Sequence, residues 1–140
     1  MASYECAIRT NYFHVTDEIA FKEFMEKVVC SEDDLNIFEM SDEKGETIYG
    51  FGCCSSIMGI ATEGEDEYSY DEFVDGLQKI IESNDAIIIF EAGHEKLRSM
   101  GMYADIITSK DHDTLDLSRM AVESAKNMLK NPDWETRYTY

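Results

Sequence analysis

The run AIIIF at 86–90 constrains the fold more than any other stretch. Five consecutive apolar residues leave no polar side to turn towards water. That pattern suits a strand in the middle of a sheet, covered by neighbours. A central strand needs partners, and the chain offers several. Residues 4–15, YECAIRTNYFHV, mix aromatic and β-branched side chains and predict a strand with an irregularity near Asn11. Residues 35–40 and 47–54 predict the two arms of a hairpin around SDEKGE, with Gly45 at the left-handed turn position. Residues 56–61 predict a further short strand after a bend, and residues 100–109 another. AGHEKLR at 92–98 reads as a turn or connector.

Between these strands lie three stretches of helical periodicity. Thr16 predicts an N-cap, with Asp17 and Glu18 in the first turn, where the helix dipole favours anions. Phe21, Phe24, Met25 and Val28 follow at i, i+3, i+4 and i+7, a buried stripe on a helix ending near Cys30. A second helix is capped by Ser69 or Asp71, buries Phe73, Leu77, Ile80 and Ile81, and is ended by SND at 83–85. KDHDT at 110–114 reads as a loop, with Asp113 or Thr114 capping a third helix. Leu117, Met120, Ala121, Ser124 and Met128 line one face of that helix, and Asn131-Pro132 stops it. The tail 133–140 carries three aromatic residues and is expected to pack. The resulting order, β-α-β-β-(β)-α-β-β-α, is rich in hairpins and lacks strict βαβ alternation. It predicts one α+β domain spanning 1–140, with an antiparallel or mixed sheet of five to six strands and three helices on one face.

Thirty acidic residues against 12 basic ones give a formal net charge of −18. Such a chain is repelled by nucleic acid and by anionic membranes, and it attracts basic partners. No apolar run is long enough to span a bilayer, and MASYECAIRT lacks the pattern of a signal peptide. The four cysteines form no CxxC pair. Together these features predict a reduced, cytoplasmic protein.

Few residue patterns in the chain point to chemistry. GFGCCSSIMG contains GxG without the third glycine or a strand–helix context, so nucleotide binding is not expected. The acids at 63–75 do not follow a calcium-loop pattern. Asp111, His112, Asp113 and Asp116 fit a cap and a solvated loop better than a metal site. Cys53 or Cys54 would need His14, His94 or His112 nearby to act as a nucleophile, and nothing local supplies one. The expectation is therefore a protein that is not an enzyme, with no catalytic residue, metal or cofactor.

The acids themselves are concentrated. One block holds Glu63, Glu65, Asp66, Glu67, Asp71, Glu72 and Asp75, with Tyr68 and Tyr70 inside it. A second holds Glu32, Asp33, Asp34, Glu39, Asp42, Glu43 and Glu46. Alternate strand side chains lie roughly 6.6 Å apart. Helical i, i+4 neighbours lie about 6 Å apart along the axis. Rows of carboxylates at such spacings can stand in for nucleic-acid phosphates. Tyrosine is a common anchor beside them. The plain alternative is a solvated loop and a helix entrance, where acids are expected in any case.

IRTNYFHVTDE at 8–18, EAGHEKLR at 91–98 and YADIITSK at 103–110 resemble segments of small acidic proteins carried by phages and conjugative elements of Gram-positive bacteria. The resemblance implies a counter-defence role of the anti-CRISPR or anti-restriction type. Its partner would be a basic nucleic-acid-binding protein, such as a CRISPR nuclease or a restriction enzyme, inside the bacterial host cell. Two other readings stand beside it: an immunity protein that neutralises a basic nuclease toxin, and a small cytosolic ligand-binding domain or enzyme. A homodimer is compatible with all three.

Overall fold

The computed structural model describes residues 4–61 and 67–137. Its elements run β1 (Glu5–Thr10), α1 (Glu18–Met25), β2 (Val28–Cys30), β3 (Asn36–Ser41), β4 (Thr47–Cys53) and β5 (Ile57–Ala61). They continue as β6 (Tyr68–Ser69), α2 (Tyr70–Ile80), β7 (Ile87–Glu95), β8 (Ser99–Ile107), β9 (His112–Asp116) and α3 (Leu117–Leu129). Six strands form an antiparallel sheet in the order β3-β4-β1-β7-β8-β9, and β2, β5 and β6 form a smaller one. The fold is α+β, and the AIIIF segment enters β7, which lies between β1 and β8.

One face of the large sheet carries the core. Ile8, Tyr49, Phe51, Ile87, Ile89 and Ile107 are buried there. They meet Phe21 and Met25 of α1, Phe73, Val74, Leu77 and Ile80 of α2, and Ile57 of β5 in one cluster. The rings interlock edge to face: Phe13 with Phe21 and Phe51, and Phe51 with Phe73, at centroid distances of 5.7, 6.1 and 6.2 Å. Such contacts add directional attraction to the area buried.

The irregularity at Asn11 has a defined cause. The Asn11 carboxamide takes the place of a peptide group: its oxygen accepts from the Ile88 N–H at 2.8 Å and its amide donates to the Ala86 carbonyl at 3.0 Å. The chain leaves the β1–β7 ladder there without orphaning either group. Gly59 marks a second close approach. Its φ is +122°, and a Cβ would lie 2.4 Å from the Ser69 carbonyl carbon and oxygen. Only glycine lets β5 pass the entrance of α2 at this separation.

Several predicted boundaries move. Asp17, not Thr16, caps α1, its carboxylate accepting from the N–H groups of Ile19 and Ala20. Thr16 instead donates its N–H and hydroxyl to the Ile80 carbonyl, tying the start of α1 to the end of α2. The first helix stops at Met25, and Val28–Cys30 pairs with β5, because an open strand edge suits β-branched Val28 and Val29 better than another helical turn. Residues 92–95 extend β7 along β8 instead of turning. His112–Asp116, read as loop and cap, is an edge strand on β8, so the cap of α3 falls at Asp116 rather than Asp113 or Thr114. The apolar stripe of α3 is also displaced. Leu117, Met120 and Met128 are exposed, and no residue of this helix is buried. In the tail, Trp134 is half-buried beside Val122.

Candidate partner-binding surface

In the first acidic block, Glu63, Glu65 and Asp66 lie outside the described residues. The described part runs from Glu67 into α2. Ser69 caps the helix, its hydroxyl accepting from the Glu72 N–H at 3.1 Å. Phe73, Val74 and Leu77 turn inward, so Asp71, Glu72 and Asp75 are left exposed on the outer side, with Tyr68 exposed just before them. The first-turn acids also face the positive end of the helix dipole, which stabilises them there. Tyr70 is placed differently from Tyr68. Its ring packs on Phe73 at 5.4 Å and its hydroxyl donates to Asp105. Burial first, and then the Asp105 carboxylate, push its ionisation well above the usual tyrosine range. Tyr68 is thus the tyrosine of this block that faces outward, and Tyr70 belongs to the packing.

The second block does not form one surface. Glu32, Asp33 and Asp34 precede β3, whereas Asp42, Glu43 and Glu46 lie at its far end, around the hairpin tip. Six strand residues separate the two groups by about 20 Å. Within them, two carboxylates are committed to turns. Asp33 accepts from the Ser55 hydroxyl and from the Cys54 N–H at 2.8 Å, which holds its carboxyl below the usual range. Asp42 accepts from the N–H groups of Lys44 and Glu46 at 2.9 and 2.8 Å. Glu32, Asp34, Glu39, Glu43 and Glu46 are exposed.

The hairpin tip also holds the best-defined electrostatic cluster. Nε2 of His14 lies 2.8 Å from Asp42 Oδ2 and 3.6 Å from Glu46, and Nδ1 lies 2.9 Å from Asp85 Oδ2. The His14 backbone N–H donates to that same Asp85 oxygen at 2.8 Å. Hydrogen bonding to Asp42, then to Asp85, raises the His14 pKa from 6.5 to about 9. With a carboxylate at each nitrogen, both nitrogens donate and the ring is an imidazolium. Its hydrogen bond in turn holds the Asp42 carboxyl below the usual range. Burial works to raise the Asp85 carboxyl, but hydrogen bonds from the His14 backbone and ring outweigh it and the pKa falls. Glu43, Lys44, Glu46, Glu82 and Asn84 complete an open cavity of ≈480 Å³ around the cluster. Nε2 of His14, Asp42 and Glu46 are the described groups that could share a divalent ion, their ligand atoms lying within 4.8 Å of one another. An ion there would compete with the proton between His14 and Asp42. Asp42 and Glu46 share the hairpin turn, but His14 and Asp85 come from distant parts of the chain, so no local motif announces the cluster.

The cysteines split as strand neighbours do. Cys53 is buried and donates to the Ser55 carbonyl at 3.1 Å, while Cys54 is exposed. Cys54, Cys6 and His94 line a cleft of ≈500 Å³ with Tyr4, Glu32 and Ser56. Burial raises the pKa of the Cys6 thiol and takes that of Cys30 to about 12, the opposite of an activated thiolate. No helix among the described residues is long and apolar enough to cross a membrane. No family model, curated protein or solved structure matches this chain.

Proposed function

We propose that this protein is a non-enzymatic inhibitor that binds a basic nucleic-acid-handling protein of bacterial defence, such as a CRISPR nuclease complex, and blocks its access to DNA. The carrying observation is the outer side of α2. Asp71, Glu72 and Asp75 are exposed together beside Tyr68, with no basic residue between 67 and 78. Carboxylates so placed can occupy a groove that lysines and arginines line for phosphates, and the tyrosine supplies an apolar contact. The exposed acids at the hairpin tip, Glu43 and Glu46, are a second area of the same sign. The counter-defence setting, in the host cytoplasm, comes from the resemblance to acidic phage and conjugative-element proteins.

The test compares two triple substitutions that remove equal charge. Asp71→Asn, Glu72→Gln and Asp75→Asn alter the α2 surface. Glu23→Gln, Glu26→Gln and Glu135→Gln remove exposed acids elsewhere. Immobilised protein is presented with guide–nuclease complexes at low and raised salt, followed by competing DNA. Selective retention, displaced by DNA and lost in the α2 variant, is the expected result. Equal weakening by both variants would reduce the effect to bulk charge, and no selective retention would refute the reading.

A further inference from the structure

The polar cluster at the hairpin tip is built from three directions. In the SDEKGE turn, Asp42 Oδ1 accepts from the N–H groups of Lys44 and Glu46. That fixes the carboxylate with Oδ2 aimed at His14 Nε2, 2.8 Å away. Glu46 closes the same turn, and its Oε2 lies 3.6 Å from that nitrogen. His14 comes from the stretch after β1 and is held from behind by Asp85. One Asp85 oxygen accepts from both the backbone N–H and Nδ1 of His14, and the other accepts from the Ala86 N–H. His14 lies 28 residues from Asp42 and 71 from Asp85, too far for the sequence alone to predict a metal there.

We propose that His14 Nε2, Asp42 Oδ2 and Glu46 Oε2 form a site for a divalent transition-metal ion of the zinc class, with water completing its coordination. Carboxylates alone would not suggest this, since they crowd many turns of so acidic a chain. The imidazole does. A metal-binding histidine characteristically gives its other ring nitrogen to a carboxylate, which fixes the tautomer and the ring plane. Asp85 does this for His14 and anchors its backbone as well. A ligand atom from each of His14, Asp42 and Glu46 lies within 4.8 Å of the others, and among the described residues this is the one group of three that converges so. Ligands about 2.05 Å from a tetrahedral zinc stand about 3.3 Å apart. The observed 2.8 and 3.6 Å bracket that value, so side-chain rotations admit the ion. In the metal-free protein a proton joins Nε2 to Asp42. The ion takes its place, and the proton leaves to water. The mixed ligand set selects the ion: calcium and magnesium prefer oxygen ligands, whereas imidazole suits zinc, nickel, copper or iron. Access is open, because Glu46 is 63% exposed and faces the cavity of ≈480 Å³. Around that cavity Glu43, Glu82 and Asp85 outnumber Lys44 and keep the field attractive to a cation. A bound ion would tie the β3–β4 turn to the segment that precedes α1.

Calorimetric titration of the intact chain with zinc chloride, in a non-chelating buffer, tests this directly. One saturable site per chain is expected, with magnesium and calcium chloride giving none at the same concentrations. Glu46→Gln alters an exposed side chain, so the fold should survive while zinc affinity falls about tenfold or more. His14→Gln should abolish the site. Asp85→Asn, which touches the ring and not the ion, should weaken zinc by roughly 10–100-fold. Glu43→Gln, on the rim, should change little. Cobalt(II) separates the imidazole from the thiols, since Cys54 is exposed and offers a competing ligand. Its d–d band should appear without a thiolate charge-transfer band and vanish in His14→Gln. The His14 Nε2 resonance should shift when zinc is added to the unmodified protein. No saturable zinc binding overturns the proposal. So does zinc binding that survives both His14→Gln and Glu46→Gln, equal binding of magnesium, or a thiolate band that accounts for the bound cobalt. All these readouts use the chain alone, so they stand or fall apart from the proposed nuclease contact.

Discussion

Replacing His14 by Gln removes the cation between Asp42 and Asp85 and makes the pH dependence of stability measurable. The folded pKa of about 9 against 6.5 for the free side chain means that the folded state keeps a proton that the unfolded chain releases. The stabilisation is complete below pH 6.5 and is lost as the pH climbs through about 9. Asp42 and Asp85 act in the opposite sense at the acid end. Their contribution is complete above the ordinary carboxylate value of 3.8 and is lost as the pH falls through their depressed folded values. The difference between wild type and variant should thus be greatest and flat from about pH 4 to 6.5. At 1.36 kcal/mol per unit, the His14 shift sets a ceiling of roughly 3.4 kcal/mol. The ring is 31% exposed and water screens its pairs, so ~1 kcal/mol is the working figure. Urea unfolding of both proteins at pH 6, 8 and 10 measures it, and the imidazole proton resonances report the titration itself. A difference that stays constant from pH 6 to 10, or a His14 titration near 6.5, would refute the reasoning.

Other perturbations separate packing from backbone effects. Phe73→Ala empties a site walled by Phe24, Phe51 and Tyr70 and should cost ~3–5 kcal/mol in chemical denaturation. Gly59→Ala and Gly45→Ala both force a side chain onto a positive φ, but an added Cβ meets backbone only at Gly59. Gly45→Ala should cost about 1 kcal/mol. Gly59→Ala should cost distinctly more, and equal melting shifts would argue against the β5–α2 contact. Asp17→Ala should lose about 1 kcal/mol through the α1 cap. Thr16→Ser should change little, because its hydroxyl can still reach Ile80, whereas Thr16→Val leaves that bond unmade and should lower the melting temperature.

Where a side chain's role depends on its immediate neighbours in the chain, the amino-acid sequence sufficed. AIIIF demanded a central strand and became part of β7 between β1 and β8, although only one side of it is covered and Phe90 stays exposed on the other. The SDEKGE turn with Gly45, the cap at Ser69, and the stripe of Phe73, Leu77, Ile80 and Ile81 follow from short-range geometry and hydrophobic periodicity. These elements define an α+β protein with an antiparallel sheet. The exposure of Asp71, Glu72 and Asp75 follows from the same stripe, since burying one side of a helix leaves the other to water. Tertiary contact decided the rest. Val28 fits a helical stripe, yet it joined a strand because β5 offered an edge. The polar segment His112–Asp116 became a strand by pairing with β8. Asp33, Asp42 and Tyr70 look like free surface groups in sequence, but distant hydrogen-bonding partners took them up. His14 met Asp42 and Asp85 only because the hairpin tip and the end of α2 converge. That Phe90 and Met102 share the outer side of β7 and β8 likewise emerged only from register, which sets residues apart in the chain side by side. Local propensity carries no information about such long-range meetings; only the packed chain does.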